Sequence, residues 1–237
     1  MTKNKILVIT PTYNEIENIE KFITEINHVN LDLLIIDDNS PDLTYKVVEK
    51  HVAKNSKINL IKREKKKGLG SAYREGFKWF LDTNFTHCIE MDVDFSHRIS
   101  DLEKLIKEIE DFDLLIGSRY VTGGGSKGWD YKRKMLSMYA NKFAKLLLKV
   151  DVNDMTSGFR VFSRNALTKI DFDNVQTNGY GFQIEMTYLA ALNNLKIKEF
   201  PIIFHERRLG KSKMNYKIVL EAIILLFRLV MSNGRKR

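Results

Sequence analysis

The sequence has few of the residues that crosslink or interrupt a fold. Its 237 residues include one cysteine and three prolines, with no serine- or glycine-rich tract and no internal repeat. A single cysteine, Cys88, excludes a disulfide framework and indicates a reducing compartment. Without a recognisable linker, the chain is predicted to form one globular domain, or one domain with an appendage.

Long apolar runs are also missing. The apolar run at residues 5–10 is too short for a signal peptide, and no segment reaches the length of a membrane-spanning helix. The charge is unbalanced, since 39 Lys and Arg residues oppose 30 Asp and Glu residues and leave a net charge of +9. This excess suits a phosphate-rich ligand, nucleic acid or an anionic membrane surface, and it equally fits a merely basic soluble protein.

Apolar runs alternate with helical patterns in the first half of the chain. Strands are predicted at residues 5–10, 31–37, 57–62, 86–91 and 112–118, with helices at 15–26, 44–54, 71–81 and 102–109. Continuous apolar strands separated by helices predict an α/β fold, with a mostly parallel sheet covered on both faces. Ligands of such sheets bind beyond the carboxyl ends of the strands.

The second half has a different pattern. It predicts a flexible loop at 123–129, a basic helix at 131–149, a strand at 156–162, a helix at 183–192, a late strand at 197–208 and a strongly apolar last element at 216–230.

Acidic residues cluster where the predicted strands end. Asp37 and Asp38 close the second strand, Asp92 and Asp94 close the fourth, and Glu15 follows the first. All should face one crevice. Two carboxylates one residue apart repel each other unless a cation lies between them, so Asp92 and Asp94 predict a Mg²⁺ or Mn²⁺ site that bridges a diphosphate. The neighbouring Asn-Ser-Pro-Asp segment, residues 39–42, is interpreted as a turn.

Glycines and cations complete the candidate crevice. The stretch "GLGSAYREGF" (68–77) matches neither GxxxxGK[ST] nor GxGxxG, so Gly68 and Gly70 are expected to let the chain turn tightly into a helix near the ligand. Arg119 follows the fifth strand and is interpreted as a phosphate partner. A second cationic patch comprises Arg207, Arg208, Lys211 and Lys213. The lysines at 65–67 are interpreted as a solvated face.

Several motifs together carry a family resemblance. They are "PTYNE", "IIDDNSPD", "GLGSAYREGF", "MDVDFSH", "GSRY", "WDYKRKMLS", "DMTSGFRVF", "GYGFQIEM" and "RRLGKSK". In this order they resemble the dolichol-phosphate mannose synthases, family 2 glycosyltransferases with the GT-A fold, over about residues 5–213. The resemblance implies inverting transfer of a sugar, most often mannose from GDP-mannose, to the phosphate of a dolichyl or polyprenyl lipid. UDP-glucose or UDP-GlcNAc as donor, or a non-lipid glycan as acceptor, are the alternatives.

The resemblance also implies roles for individual residues. The positions that match nucleotide-sugar-binding residues are Pro11, Tyr13, Glu15, Ile36, Asp38, Asp92, Val93, Asp94, Arg119, Arg207 and Lys213. The positions that match metal contacts are Asp92, Asp94 and Ser96. The expected acceptor-phosphate residues are Arg119, Arg133 and Ser137, and the expected catalytic residues are Asp94, Arg119 and Arg133. Val93 stands where the family commonly has alanine, so only its backbone is expected to matter.

A phosphate acceptor has consequences for the mechanism. It is already anionic at neutral pH and requires no strong general base, but arginines must offset its repulsion from the anionic donor. A transferase for a hydroxyl acceptor would instead need a carboxylate base, and Asp154 is its one candidate. A nucleic-acid-binding module should interleave exposed aromatics with basic residues on one face, whereas here acids and bases alternate around the strand ends. A nucleotide-sugar-binding scaffold without activity would need neither both aspartates nor the acceptor arginines.

The last segment is predicted to be an appended helix. We divide the chain into a GT-A domain at 1–214 and an amphipathic helix at 215–237, whose polar stripe comprises Lys217, Glu221 and Arg228. The apolar part of this helix, residues 216–231, comprises sixteen residues and would span about 24 Å, less than the roughly 30 Å of a hydrocarbon core. We therefore expect an interfacial helix and a peripheral protein on the cytoplasmic face of a membrane. A core helix, or one at a dimer contact, is the alternative.

Overall fold

A mixed seven-stranded sheet forms the centre of the molecule. The computed structural model describes residues 4–175, 177, 179–206 and 224–231. The main sheet comprises β1 (Ile6–Thr12), β2 (Asp32–Asp37), β3 (Ile58–Lys62), β4 (His87–Glu90), β5 (Leu114–Ser118), β7 (Arg160–Ser163) and β8 (Ile197–Pro201). Their order is β3-β2-β1-β4-β7-β5-β8, and only β7 runs antiparallel to its neighbours. The predicted α/β fold with a mostly parallel sheet is confirmed.

Helices cover both faces of this sheet. They are α1 (Ile16–His28), α2 (Thr44–Val52), α3 (Leu69–Leu81), α4 (Ile99–Ile106), α5 (Tyr131–Leu148), α6 (Arg164–Lys169), α7 (Gly179–Leu192) and α8 (224–231). Successive strand side chains point to opposite faces, so Leu7 and Ile9 belong to one buried cluster and Val8 to another. Because both faces are buried, the central strands read as continuous apolar runs rather than as alternating ones.

The two glycines at the start of α3 meet the sequence prediction. Gly68 adopts φ +91° directly before the helix, a conformation that residues with a Cβ rarely adopt. A Cβ at Gly70 would lie 2.5 Å from the carbonyl oxygen of Thr177. These two positions let the chain turn tightly into a closely packed helix.

Two predictions in the second half of the chain were wrong in detail. The expected loop at 123–129 contains a short strand, β6 (Gly125–Lys127), and the expected late strand at 197–208 is divided at Ile202. After Pro201 the chain leaves the main sheet, and β9 (Ile203–His205) pairs with β6 in a separate two-stranded sheet. Proline has no N–H to donate, so it suits the end of an edge strand such as β8. The backbone N–H of Ile202 donates instead to the Ser118 carbonyl (3.0 Å).

The structure describes only residues 224–231 of the predicted C-terminal helix. In α8, Leu225, Leu226 and Leu229 are buried against the core, whereas Phe227 is 50% and Met231 is 68% exposed. Lys217, Glu221 and the proposed boundary after residue 214 lie outside the described residues. Within the described ranges, no helix combines the length and the apolar character needed to cross a bilayer.

Candidate active site

The candidate crevice opens where the strand order reverses. From β1 the chain moves to β2 and β3 on one side, and it then returns to place β4 on the other side. Pro11 lies opposite Ile36 in the β1–β2 register, and the Met91 N–H donates to the Ile9 carbonyl beside it. The carboxyl ends of β2, β1 and β4 therefore meet at one edge, which is where open α/β sheets bind their ligands.

The paired aspartates after β2 have different roles. Asp37 is fully buried and accepts hydrogen bonds from the hydroxyls of Thr12 (2.8 Å) and Ser40 (2.6 Å), so it holds the turn. Asp38 accepts from Arg63 Nη1 (2.7 Å) and, at 3.2 Å, from the backbone N–H of Gly68. Asp38 thus ties the end of β2 to the loop before α3, at the predicted nucleotide side of the crevice.

The segment after β1 lies beside that loop. The Lys66 ammonium lies 3.6 Å from the ring centroid of Tyr13, so this lysine contacts the crevice segment although its side chain is exposed. Glu15 accepts a hydrogen bond from the Asn18 side chain (2.9 Å) and its backbone N–H donates to Thr44 (3.0 Å). The structure therefore brings Pro11, Tyr13 and Glu15 to the same edge as Asp38.

The segment after β4 turns sharply between its two aspartates and the next helix. Val93 is buried in the core, and Phe95 adopts φ +59° and packs edge-on against Phe22. This bend lets the Ser96 N–H donate to Asp94 Oδ1 at 3.0 Å. A bulky residue in a left-handed conformation is costly and marks a locally constrained segment. The constraint here orders the loop that carries the two carboxylates.

The residues around Asp92 and Asp94 fit a divalent cation. The Asp92 side chain is 32% exposed, and its Oδ2 lies 3.9 Å from His97 Nε2. Among the described residues, the buried Ser96 hydroxyl and both ring nitrogens of His97 have no hydrogen-bond partner. Burial lowers the pKa of His97 to about 4, so its ring is neutral. In the part of the chain that the structure describes, no three acidic, histidine or cysteine side chains are arranged so that they could hold a metal ion, so the site offers two carboxylates as anionic ligands.

A buried ion pair lies on the other side of the crevice, after β5. Arg119 donates from Nε (2.7 Å) and Nη2 (2.6 Å) to the two carboxylate oxygens of Asp154, whose side chain is fully buried. Burial raises the pKa of Asp154, but the charge and hydrogen bonds of Arg119 outweigh burial and bring it below the ordinary value. Asp154 is therefore a fully engaged carboxylate.

A second carboxylate holds the loop that carries Asp154. Glu199 on β8 accepts from the Ser118 hydroxyl (2.6 Å) and from the backbone N–H groups of Asn153 (2.8 Å) and Asp154 (2.9 Å). The loop is thereby fixed to two strands of the main sheet, and Arg119 receives a rigid partner.

Aromatic rings surround the two candidate acceptor arginines. The Arg119 guanidinium lies 5.2 Å from the rings of Tyr120 and Trp129 and 5.6 Å from that of Phe204. The Arg133 guanidinium lies 4.3 Å from the same Trp129 ring and donates to Glu206 (2.8 Å). Trp129 Nε1 and Arg133 Nε are both buried donors that find no hydrogen-bond partner in the part of the chain that the structure describes. Such orphaned donors beside two cations are suited to an anionic ligand.

Ser137 joins this group from the inner face of α5. Tyr120 Oη donates to Ser137 Oγ at 2.7 Å. Asn141, one turn further along, donates to Thr156, whose hydroxyl also accepts from Arg119 Nη2 (2.8 Å). The structure therefore brings the predicted acceptor residues Arg119, Arg133 and Ser137 together.

A buried arginine links the acid pair to α7. Arg160 is fully buried and donates to the carbonyls of Ser157, Met155 and Gln183. Gln183 donates in turn to Glu90 (2.9 Å), two residues before Asp92. Burial raises the pKa of Glu90 to about 8, against the opposing effects of Arg160 and Gln183.

Sequence reasoning missed the residues that organise the site. Trp129, Tyr120, Arg160 and Glu199 received no role, although the first three stand inside the motifs that carry the family resemblance. Membership of those motifs was the signal that could have found them, and Glu199 had no such signal. The predicted donor residues Arg207 and Lys213, with Arg208 and Lys211, lie outside the described residues.

The fold and this crevice together define a glycosyltransferase of the GT-A type. Residues 7–171 match the sequence family described as Glycosyl transferase family 2, and the chain belongs to that family. It is 38% identical to an undecaprenyl-phosphate mannosyltransferase of Micrococcus luteus over 93% of this chain and 91% of that one. It is 40% identical to a polyprenol monophosphomannose synthase of Mycolicibacterium smegmatis over 92% and 83% of the two chains.

A solved structure shares the fold. A mannosyltransferase from Pyrobaculum calidifontis, solved with GDP-Man and Mn²⁺, superposes with a TM-score of 0.64 at 15% identity. The alignment covers 98% of this chain and 65% of that one.

Asp154 offers a direct test of the buried ion pair. Asp154→Asn leaves the Arg119 charge buried without a counter-charge, so we expect the free energy of unfolding to fall by about 3–5 kcal/mol. Urea titration followed by circular dichroism measures this change. Asp151→Asn is the matched control, because Asp151 also forms an ion pair, with Lys145, but its side chain is 95% exposed. Equal stability of Asp154→Asn and the control would contradict the structural role of the pair.

Proposed function

We propose that this enzyme transfers mannose from GDP-mannose to the phosphate of a polyprenyl or dolichyl lipid, with inversion. The observation that carries the proposal is the pair of arginines around Trp129, across the crevice from two carboxylates. One side of the crevice suits a cation with a diphosphate, and the other suits a second phosphate. The two curated relatives, whose names specify polyprenyl-phosphate and polyprenol substrates, support this assignment.

On the donor side, Asp92 and Asp94 would hold a divalent cation, Mg²⁺ or Mn²⁺. When bound, the cation offsets the negative charge that builds on the departing nucleoside diphosphate. The hard oxygen ligands, the orphaned Ser96 hydroxyl and the neutral His97 ring support such a site. Because the protein supplies few ligands, the diphosphate and water are expected to complete the shell, as is usual for Mg²⁺.

On the acceptor side, the arginines bring two anions together. Arg119 is oriented by Asp154, and its Nη1 makes no hydrogen bond within the described residues, so that edge of the guanidinium can receive a phosphate. Arg133 and the Trp129 N–H supply further donors. Tyr120 donates to Ser137 Oγ, which leaves the Ser137 proton available for the phosphate. These groups align the acceptor oxygen and lower the repulsion between the substrates.

The state of Asp154 favours a phosphate acceptor over a hydroxyl. A hydroxyl acceptor requires a base that removes its proton. Asp154, the one sequence candidate, has both oxygens bonded to Arg119 and a pKa below its ordinary value. A phosphate monoester is already ionised and needs no such base. The same argument applies to a soluble glycan or protein acceptor, which we therefore disfavour.

The enzyme is proposed to act as a peripheral protein at the cytoplasmic face of a membrane. Its acceptor lipid cannot easily leave the bilayer, so the crevice must approach the lipid. The exposed apolar side chains of α8, the largest of which are Ile224, Phe227 and Met231, support contact with a membrane surface. Nucleic acid is not an expected partner.

The metal role predicts the behaviour of the acid pair. Asp92→Asn or Asp94→Asn should lower turnover about a hundredfold or more, because an amide does not replace the carboxylate charge on the cation. In the presence of GDP, both variants should also lose the electron paramagnetic resonance signal of protein-bound Mn²⁺. This readout is independent of turnover. Asp111→Asn, at an exposed position, is the control. Full activity of the native enzyme in EDTA would exclude the metal.

The two substrate sides predict different effects of two arginines. Arg133→Ala should raise the KM for lipid phosphate about tenfold, since a charged hydrogen-bonding partner is lost, and leave GDP affinity nearly unchanged. Arg207→Ala should weaken GDP binding, because this position matches a nucleotide-sugar residue. Calorimetric titration with GDP and steady-state kinetics separate the two effects. Loss of GDP binding in Arg133→Ala would refute the assignment of this arginine to the acceptor.

Trp129 should act on the acceptor through both arginines. Trp129→Leu removes the ring under both guanidinium groups and should raise the KM for lipid phosphate about tenfold, while GDP affinity stays constant. Trp129→Phe keeps a ring and loses only the N–H, so its effect should be smaller. Kinetics at varied lipid phosphate measure both variants. An unchanged KM in Trp129→Leu would show that the ring does not order the arginines.

A further inference from the structure

Helix α5 has two faces in different environments. Its inner face is buried and is formed by Ser137, Asn141, Ala144 and Leu148. Its opposite face carries four large apolar side chains at spacings of three, four and three residues, which places them in one row. This row, the outer stripe, comprises Leu136, Tyr139, Phe143 and Leu146, which are 48%, 57%, 44% and 68% exposed.

Basic residues border the outer stripe. Residues 131–148 contain five Lys and Arg residues and no Asp or Glu. Lys132 lies four residues before Leu136, and Lys142 lies four residues before Leu146, so both are exposed next to stripe residues on the helix surface. Lys145 is engaged by Asp151 at 2.6 Å and does not contribute. Aromatic and leucine side chains flanked by lysines are typical of helices in the headgroup layer of a membrane.

The same helix forms part of the acceptor site. Its N-terminus is capped by Asp130, which accepts from the Arg133 N–H (2.8 Å), and Arg133 lies over Trp129. Ser137 reaches Tyr120 from the inner face. One rigid element therefore carries acceptor-phosphate residues on one side and an apolar, lysine-bordered surface on the other. A lipid whose phosphate is held at the crevice must have its isoprenyl chain in a nearby bilayer.

We propose that the outer stripe of α5 docks the enzyme on the headgroup layer of an anionic membrane. This inference rests on the proposed function, because a lipid acceptor is the reason for the enzyme to approach a membrane. The membrane contact itself can be measured without sugar transfer. A second copy of the chain is the rival occupant. Two stripes packed face to face would bring their bordering lysines together, and like charges across an interface are unfavourable. Anionic headgroups complement those lysines.

Deleting the C-terminal segment is not a clean test of membrane contact. Leu225, Leu226 and Leu229 of α8 are buried in the main core, so a shortened chain would lose core packing as well as surface. Substitutions on exposed side chains avoid this difficulty, because they leave the core unchanged.

The test compares three sets of variants in vesicle flotation. The stripe set is Tyr139→Ser, Phe143→Ser and Leu146→Ser combined, and the α8 set is Phe227→Ser with Met231→Ser. The control set changes apolar residues exposed elsewhere: Leu43→Ser, Val52→Ser and Leu192→Ser. Vesicles of phosphatidylcholine with phosphatidylglycerol, and of phosphatidylcholine alone, are used. GDP binding and urea unfolding verify that each variant folds.

The stripe set should lower the partition coefficient on anionic vesicles by about tenfold or more, and the control set should leave it unchanged. Lys142→Gln should reduce binding to anionic vesicles and not to neutral ones. Transfer to a short, water-soluble isoprenyl phosphate should survive in the stripe set, whereas transfer to a long lipid in vesicles should fall with flotation.

Three outcomes would overturn the inference. Flotation of the stripe set equal to that of the native protein would remove the membrane contact from α5. Loss of flotation in the α8 set alone would assign the contact to α8. A native dimer that sedimentation velocity shows to dissociate in the stripe set would make a second copy the occupant. Absence of transfer to every isoprenyl phosphate, with stripe-dependent flotation intact, would instead refute the proposed function and leave the docking surface standing.

Discussion

The buried pair of Arg119 and Asp154 connects most of the elements around the crevice. Asp154 orients the guanidinium after β5, and Glu199 on β8 holds the backbone of the Asp154 loop. Thr156, in the same loop, accepts from both Arg119 and Asn141 of α5. Because Arg119 and Asp154 are both buried, removing either one would leave the charge of the other unpaired. The proposed acceptor side is therefore held together by contacts within the protein itself.

The two sides of the crevice manage charge in opposite ways. The proposed donor side presents two carboxylates, Asp92 and Asp94, whereas the proposed acceptor side presents arginines held against aromatic rings. Trp129 contacts both guanidinium groups and keeps two like charges in one small region, because each cation is attracted to the ring face. This arrangement suits a reaction between two phosphates that repel each other. The proposed acceptor side also reaches the protein surface through α5, which would join recognition of the phosphate to the surroundings of its lipid.

Sequence periodicity predicted the first half of the fold well and the second half less well. Strands β1, β2, β4 and β5 lie between buried faces, so their apolar runs carried a strong signal, whereas the edge strand β3 is only partly buried. The division of 197–208 at Ile202 depends on pairing with β6, which lies far away in sequence. Polar and glycine-rich composition at 123–129 does not distinguish a loop from a short strand at an edge. The antiparallel direction of β7 likewise follows from its neighbours, since its own residues are compatible with either direction.

The sequence by itself determined the α/β fold, the acid pair after β4 and the family, because these depend on local patterns and ordered motifs. Only the tertiary structure decided that Asp154 is the counter-ion of Arg119 and not a base, because that role depends on a contact between residues 35 positions apart. It likewise assigned Trp129 to two arginines and Asp37 to a turn. The residue type determines which functional group a side chain carries. Its protonation and its partners depend on burial and on the neighbours that folding brings together.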